Sequence, residues 1–296
     1  MGYSGRYHAA SLAAVFIALA IGILIGIGLA DDVVSSASQE LEDSLREERD
    51  AAQDQAADLQ SQLDQELQFS QDATRALIGG RLEGERVALI YLGAAPGEDE
   101  RATAEDAIGA IDAAGGNLAS ASSISLTVDP DPLIEETGRR FAEARRDPAA
   151  LRNLGRLIGT RLVGGSDLAE RLKPDLFTTF NGSLEDVRRF VLISDPPDED
   201  LGEDEQERAD AFERGLLQGI ARASRGTVGV ERTETDPTTL GPFMDAAIST
   251  VDDIDRPAGA VALVYALTGA SGDFGVKEDA DSLVPQPLLP QRGGAR

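Results

Sequence analysis

The sequence predicts an α/β protein: an N-terminal transmembrane helix, a coiled-coil helix, and a mainly parallel Rossmann-like sheet with helices on both faces. Two observations lead to this prediction. Residues 9–30 contain no charged side chain, and a helix of that length can cross a hydrocarbon core of about 30 Å. Beyond residue 80, short apolar runs alternate with longer helical patterns, which is typical of parallel strands covered by helices. The expected segments are a cytoplasmic N-terminus at 1–8, the transmembrane helix at 9–30, a coiled-coil stalk at 31–80, an exported α/β domain at 81–276 and a disordered, proline-rich tail at 277–296.

The apolar N-terminal run is interpreted as a retained anchor rather than a cleaved signal peptide. Gly28, Leu29 and Ala30 would suit a cleavage site, but the run is longer than the roughly 7–15 apolar residues of a signal peptide. Arg6 precedes the run, and basic residues stay on the cytoplasmic side. The sequence therefore predicts a single-pass protein of the cytoplasmic membrane, with its N-terminus inside and its C-terminal domain outside.

Small side chains recur every four residues along the anchor, at Ala14, Ala18, Gly22 and Gly26. Such a stripe lets two helices approach closely in lipid, where packing drives association. The alternative is that these residues reflect general abundance, since the chain contains 31 glycines. Helix packing through this stripe is thus one of two open interpretations.

The next segment is polar and helix-forming, with a narrow apolar seam. Leu45, Ala52 and Leu59 lie seven residues apart, and Ala56 and Leu63 extend the seam. This heptad spacing predicts a coiled coil, formed as a parallel homodimer or with a coiled-coil protein partner. The alternative is a solvated single helix, which is marginal unless a partner covers its apolar side.

The rest of the chain alternates strand and helix patterns. Strands are expected at 87–92, 118–128, 190–194, 227–231 and 260–267, and helices at 98–114, 133–146, 148–163, 203–223 and 243–250. Residues 93–97 form a glycine-containing loop between the first strand and helix. That helix begins with Glu98, Asp99 and Glu100, which oppose an anionic ligand, so no nucleotide site is expected there.

Composition excludes several functions. The formal net charge is −26, from 53 acidic and 27 basic residues, so the surface repels nucleic acid and anionic lipid headgroups. The chain has no cysteine, and its one histidine is His8 beside the anchor. A thiol nucleophile and a Ser-His-Asp triad are therefore both absent. The sequence predicts a protein that is not an enzyme, with no catalytic residues and no cofactor.

One acidic run is a weak candidate for a metal site. Asp195, Asp198 and Asp200 follow the strand expected at 190–194, and carboxylates bind hard cations such as calcium. The run lacks the spacing of an EF-hand loop. The alternative is a solvated acidic loop, which is the ordinary reading of a charge run.

Two stretches carry a family resemblance. Residues 7–22, YHAASLAAVFIALAIG, followed by a polar helix, resemble the N-terminus of the MctB-type copper transporter family of actinobacteria. The segment Ser249-Thr-Val-Asp-Asp-Ile-Asp255 and the glycine-rich close before a proline-rich end are similar to the C-terminal part of that family. The matching residues are Ser249, Val251, Asp252, Gly259, Gly269 and Gly275.

The resemblance implies an envelope protein with a role in copper export or copper tolerance. Some relatives are associated instead with septation and cell-wall remodelling, which implies a non-catalytic scaffold acting through its coiled coil and exported domain. Cu(I) prefers cysteine and methionine ligands, and Cu(II) prefers imidazole. Outside the anchor region the chain offers only Met244 among these, so bound copper is implied by the resemblance alone.

Overall fold

The computed structural model describes residues 5–93, 96–195 and 201–288. The chain divides into two compact units, residues 1–68 and residues 69–296. The first unit consists of most of helix α1, which runs from Gly5 to Ile78. The second unit contains the last turns of α1 and the whole sheet.

Helix α1 contains the apolar segment. Its span from Tyr7 to Gly26 is 20 residues long with a mean hydropathy of 2.5, and it is the one span in the described residues that is long and apolar enough to cross a membrane. Ala14, Ala18 and Gly22 are exposed on the single helix, and a Cβ added at Gly22 or Gly26 would meet no atom within 4 Å. Packing of a second helix against this stripe stays a prediction.

The polar part of α1 carries an exposed apolar seam. Leu45, Leu59 and Leu63 are each more than half exposed, at 55%, 57% and 51%. Exposed leucines at this spacing are typical of a helix that pairs with another helix. The coiled coil itself stays a prediction.

The C-terminal end of α1 belongs to the globular unit. Ile78 and Leu82 are fully buried in its core, and the hydroxyl of Thr74 donates to the carbonyl oxygen of Pro257 at 3.3 Å. Gly80 has φ +75°, a conformation that glycine adopts without strain. The helix therefore ends where the chain turns into the sheet, as the Gly79-Gly80 pair indicates.

The second unit is built on a seven-stranded sheet. The strands are β1 (Arg86–Leu92), β2 (Asn117–Ile124), β3 (Phe177–Gly182), β4 (Arg189–Ser194), β5 (Gly226–Val230), β6 (Ser249–Val251) and β7 (Asp273–Phe274). Their spatial order is β3-β2-β1-β4-β5-β6-β7. Every neighbouring pair is parallel except β2 and β3, which are antiparallel. The predicted mainly parallel sheet is confirmed.

Helices cover both faces of the sheet, as predicted. They are α2 (Glu98–Ala113), α3 (Pro130–Thr137), α4 (Pro148–Leu162), α5 (Asp167–Leu176), α6 (Glu203–Ala223), α7 (Gly241–Asp245) and α8 (Pro257–Leu267), with 3-10 turns at Arg139–Arg145 and Gln286–Leu288. Alternate residues of β1 enter two separate cores. Ala88 and Ile90 pack with α3 to α7, whereas Val87 and Leu89 pack with α2 and α8.

Glycines bring α4 and α6 unusually close together. A Cβ added at Gly155 would lie 2.6 Å from the carbonyl oxygen of Phe212. Added at Gly159, Gly215 or Gly219, it would lie still closer to backbone atoms of the facing helix. Each helix thus has two glycines four residues apart, and only glycine fits at these four positions. Close backbone approach is observed here, within the globular unit.

Three element predictions are wrong. The single helix expected at 133–146 is divided at Gly138, which has φ +108°, into α3 and the 3-10 turn at Arg139–Arg145. Residues 260–267 form helix α8, not a strand. Nearly all of its residues are buried, and a short run that is apolar on every side does not reveal its period; Pro257 at the first helical position favours the helix. The helix expected at 243–250 ends at Asp245, and β6 follows it. No element was expected at α5 and β3, where α5 contains Pro174 and β3 is a mostly exposed edge strand.

The segment after β7 packs against the end of the sheet. Ser282 forms a bridge with Phe274, and Lys277 forms an ion pair with Glu231, with 2.6 Å between Nζ and Oε1. The sequence predicts a disordered tail from residue 277, whereas these contacts fasten its first residues. Residues 289–296 of that tail lie outside the described residues.

Candidate functional site

A cleft lies where the strand order reverses. The chain proceeds from β1 to β2 and β3 on one side of the sheet, and returns to β4 on the other side of β1. In open α/β sheets, ligands bind in the crevice outside the carboxyl ends of the strands at this switch point. Here the crevice is a cleft of about 640 Å³, lined by residues that follow β1, β2, β4 and β5 and by helix α6. We call it the switch-point cleft.

Gly93 and Asp195 form one wall of the cleft at the ends of β1 and β4. The backbone N–H of Asp195 donates to the carbonyl oxygen of Leu92 at 3.1 Å. A Cβ on Gly93 would lie 2.5 Å from Oδ2 of Asp195 and 2.9 Å from the hydroxyl of Tyr91. Burial, and then the hydrogen bond with Asp195, raise the pKa of Tyr91. Tyr91 is therefore a neutral donor that holds the Asp195 carboxylate at the cleft.

Helix α6 supplies a buried carboxyl group to the opposite wall. Glu213 is only 7% exposed, and the hydroxyl of Ser194 donates to its Oε1 at 3.5 Å. Burial, reinforced by the charge of Asp210, raises the pKa of Glu213 to about 7, although Ser194 and Arg214 act in the opposite direction. The carboxyl group thus gains and loses its proton near neutral pH.

The remaining lining mixes apolar and polar side chains, and its apolar members are Leu126, Leu201, Ala209 and Pro242. Hydroxyl groups come from Ser125, Thr127, Ser194, Thr238 and Thr239, and further carboxyl groups come from Asp195, Asp210 and Asp245. Arg214 is the one basic side chain among the lining residues. The cleft therefore combines hydroxyl groups with an excess of negative charge.

A buried ion pair positions part of this lining. Glu231 is 2% exposed; its carboxylate accepts hydrogen bonds from the hydroxyl of Thr238 at 2.8 Å and from the backbone N–H of Thr239 at 2.7 Å. The same carboxylate pairs with Lys277, whose Nζ also donates to the carbonyl oxygen of Thr235 at 2.6 Å. Breaking such a pair leaves a buried charge uncompensated, which is strongly destabilising. Glu231 thus holds the two threonines at the cleft.

The residues of the C-terminal family resemblance gather around the end of β6. Ser249 and Val251 lie on β6. Asp252 follows them, and its carboxylate accepts the backbone N–H groups of Val276 at 2.7 Å and Lys277 at 3.0 Å. Gly275, at φ +138°, lies so close to Asp252 that no Cβ would fit. These residues fix the segment that carries Lys277, and none of them lines the cleft.

The two other glycines of that resemblance have separate roles. A Cβ on Gly259 in α8 would collide with the backbone of Asp253. Gly269 follows the end of α8 with φ +116°. Both positions therefore require glycine for reasons of packing and backbone conformation.

The structure describes one of the three metal candidates. Asp195 lies in the cleft, whereas Asp198 and Asp200 lie outside the described residues. In the part of the chain that the structure describes, no group of three or more His, Cys, Asp or Glu side chains could hold a metal ion. Glu213 and the threonines of the cleft were not anticipated. A signal for Glu213 exists in the sequence, since it interrupts the buried stripe of Ala209, Phe212 and Leu216 on α6.

The fold and the cleft define a class of protein: a doubly wound α/β domain with a cleft at its switch point. Among its described residues, the chain also has one N-terminal helix apolar enough to anchor it in a membrane. A family model described as "Copper transport outer membrane protein, MctB" matches residues 3–285. The chain therefore belongs to the MctB family, and the resemblance seen in two segments is confirmed over nearly the whole sequence. A comparison with curated proteins gives no match.

Proposed function

We propose that this chain is a membrane-anchored envelope protein that acts in copper export or copper tolerance. The observation that carries the proposal is the match to the copper transport family over residues 3–285. The apolar span from Tyr7 to Gly26 supports the membrane location. Arg6 lies before that span, and Asp31 and Asp32 lie after it. Basic residues stay on the cytoplasmic side, so Arg6 favours an inside N-terminus and an outside C-terminal domain.

The orientation has a direct test. Protease added to intact spheroplasts should degrade the α/β domain, because the proposal places that domain on the outer side of the cytoplasmic membrane. The degradation is followed by immunoblotting with an antibody against the domain. A cytoplasmic protein blotted in parallel reports whether the membrane stayed sealed. Protection of the domain in sealed spheroplasts would contradict the orientation.

The proposed role does not require the domain to hold copper or to catalyse a reaction. The sequence has no cysteine, one histidine and two methionines, and soft copper ions prefer these side chains. Met244 is only partly exposed and packs against the core. We therefore propose a non-catalytic component without a cofactor, which contributes to copper handling through partner proteins.

A second candidate function is a cell-envelope scaffold in septation or cell-wall remodelling. The exposed seam of Leu45, Leu59 and Leu63 favours it, because such a seam is covered when two helices pair. We propose that the polar part of α1 pairs with a second copy in parallel or with another coiled-coil protein. The small residues Ala14, Ala18, Gly22 and Gly26 would support the parallel pair within the membrane.

Deletion of the gene distinguishes the two functions. The copper role predicts a strain that is hypersensitive to copper and divides normally, with tolerance restored by the full-length chain. Growth across a copper series and microscopy of septa measure both properties in the same cultures. Chaining or misshapen septa with normal copper tolerance would contradict the copper role and support the scaffold.

Copper titration into the purified full-length chain in detergent tests the mechanism. We expect no tight stoichiometric binding, because the chain lacks the preferred ligands. A variant Met244→Leu removes the one thioether outside the N-terminal residue and serves as the control. Tight binding to the unmodified chain would contradict a role without bound copper, and loss of that binding in the variant would identify the ligand.

A further inference from the structure

Neither the proposed copper role nor the proposed scaffold role uses the switch-point cleft. The cleft nevertheless has the size and position of a ligand site. Small-molecule pockets are typically about 300–1,000 Å³, and the cleft measures about 640 Å³. It also lies at the reversal of strand order, where ligands of α/β sheets bind. Neither property depends on the charge of its lining.

The charge of the lining excludes an anionic ligand. Asp195, Asp210, Glu213 and Asp245 face the cleft with Arg214 as their basic counterpart among the lining residues. The helix ends nearby give no compensation, since the first turn of α6 carries Glu203, Asp204 and Glu205. Carboxylates there already complement the helix dipole and repel phosphate or carboxylate groups.

Glu213 favours a positively charged group. Its side chain is 93% removed from solvent by the packing of α6, since only 7% is exposed. Its hydrogen bond from Ser194 is long, at 3.5 Å, so the buried carboxylate has weak compensation. An ammonium group carries three donors, and its hydrogen bonds to carboxylates are among the strong ones. An ammonium between Glu213 and Asp210 would satisfy the buried carboxylate.

The hydroxyl groups define the rest of the ligand. Ser125 and Thr127 lie at one side of the cleft, with 3.1 Å between their hydroxyl oxygens. Thr238 and Thr239 lie in the lining as well, held by Glu231. The hydroxyls of Thr238 and Thr239 donate to Glu231, so their oxygens can accept hydrogen bonds from the hydroxyl groups of a ligand. Ser125 and Thr127 share one hydrogen bond, which leaves one of their two hydroxyl protons to donate to a ligand.

We propose that the switch-point cleft binds a small, polyhydroxylated molecule that carries a primary amine. The ammonium lies between Glu213 and Asp210, and the ligand hydroxyl groups contact the serine and threonine hydroxyls. The proposal does not rest on the copper or scaffold role and is tested separately from both.

Three ligands of one scaffold test the proposal on the full-length chain in detergent micelles. They are glucamine, which carries a primary amine, sorbitol, which is neutral, and gluconate, which is anionic. Isothermal calorimetry or ligand-observed NMR measures each affinity at pH 8. Glucamine should bind at least about tenfold more tightly than sorbitol or gluconate, the effect of one charge-assisted hydrogen bond. Equal binding of the three, a preference for gluconate, or no binding of glucamine would overturn the proposal.

Isosteric variants locate the site. Glu213→Gln and Asp210→Asn should each weaken glucamine binding by about tenfold or more, because each removes a carboxylate partner of the ammonium. Glu207→Gln is the matched control, since Glu207 is exposed on the same helix and outside the cleft lining. Unfolding curves establish that each variant is folded. Asp210 is exposed, so Asp210→Asn should fold normally, and it tests the site even if Glu213→Gln is unstable. An equal loss of glucamine affinity in all three variants would show that the net negative charge of the protein, not the cleft, attracts glucamine, and would overturn the site.

The pH dependence gives a further readout. The amine of glucamine stays protonated between pH 6 and 8, whereas Glu213, with a pKa of about 7, gains its charge over that range. Asp210 and Arg214 are the charged neighbours that face it from α6, and Asp195 and Asp245 face the same cleft. Glucamine affinity should rise from pH 6 to pH 8, and Glu213→Gln should flatten the rise. A pH-independent affinity in the unmodified chain would contradict the role of Glu213.

Discussion

Gly215→Ala is expected to destabilise the α/β domain by about 2–3 kcal/mol. The added Cβ would collide with the carbonyl oxygen of Arg152 and would lie 3.0 Å from the backbone nitrogen of Arg156. Both atoms belong to the backbone of α4, so the helices must separate, and overpacking of this kind costs about 1–3 kcal/mol or more. Urea denaturation of the full-length chain, followed by tyrosine fluorescence, measures the effect because Tyr91 and Tyr265 are buried in the domain.

The same exchange at another helical glycine provides the control. Gly109 is exposed on α2, and a Cβ there meets nothing within 4 Å. Gly109→Ala should stabilise the domain by up to about 1 kcal/mol, since alanine favours helix more than glycine. If Gly215→Ala is as stable as Gly109→Ala, the close packing of α4 and α6 is contradicted.

Asp253→Asn is expected to remove about half of a large fall in stability between pH 4 and pH 8. Asp253 is 0% exposed, and neither of its carboxylate oxygens has a hydrogen-bond partner in the described part of the chain. Burial raises its pKa to about 7; Asp252 and Asp255 act in the same direction, and Arg256 opposes them. An unpartnered buried carboxylate is costly in its charged form, and this cost disappears when the group is protonated.

The sign of the pH dependence follows from the raised pKa. Below pH 4, Asp253 is protonated in the folded and unfolded states, and its contribution to stability is at its most favourable. As the pH rises towards 7, the unfolded chain loses the proton first, so the folded state loses on the order of 4 kcal/mol. Glu213, whose pKa is also raised to about 7, adds a slope of the same sign that Asp253→Asn leaves in place.

Unfolding free energies of both proteins from pH 4 to pH 8 test this expectation. Asp112→Asn, at an exposed position on α2, is the control for removing one aspartate, and it should follow the unmodified chain within about 0.5 kcal/mol. A stability curve of Asp253→Asn that is parallel to the unmodified chain would show that Asp253 does not titrate between folded and unfolded states.

The sequence predicts the inner strands of the sheet well and its margins poorly. Strands β1 and β4 are apolar on both faces and end at a glycine or an aspartate, a pattern with few alternatives. Helix α8 is as apolar as those strands because it is buried on nearly every side. Periodicity does not distinguish a helix from a strand in such runs, so the sequence wrongly predicts a strand at 260–267. The edge strand β7 has two residues, too few for a sequence pattern, and is defined by its pairing with β6.

The cleft could not be assembled from the sequence because its residues are far apart in the chain. Asp195 was recognised as a residue beyond a strand end, which the structure confirms. Glu213 and Thr239 contribute from a helix and a loop, and only the strand order brings them together. The strands and helices are thus easier to predict than the meeting of these residues in one cleft, because that meeting depends on the reversal of strand order beside β1.

The close contact between two helices is also difficult to predict from the sequence alone. The repeat of small residues in the anchor is conspicuous in the sequence because most of the surrounding residues are large and apolar. The structure places four glycines at the contact of α4 and α6. Along the sequence, residues 156–158 (Arg, Leu, Ile) separate the pair on α4 and residues 216–218 (Leu, Leu, Gln) separate the pair on α6. A pair of glycines four residues apart does not reveal which other segment it packs against. The contact is recognised only when the structure places the glycine pairs of α4 and α6 together.

The Glu231 carboxylate links two distant parts of the chain through one pair of oxygen atoms. It binds Thr238 and Thr239, which line the cleft, and it binds Lys277, which begins the C-terminal segment. When two sites are linked through one shared group, any coupling of their binding free energies is reciprocal. A molecule that occupies the cleft and displaces those threonines would therefore change the strength of the Glu231–Lys277 ion pair. Conversely, a protein that binds the C-terminal segment and displaces Lys277 would change the affinity of the cleft by the same free energy.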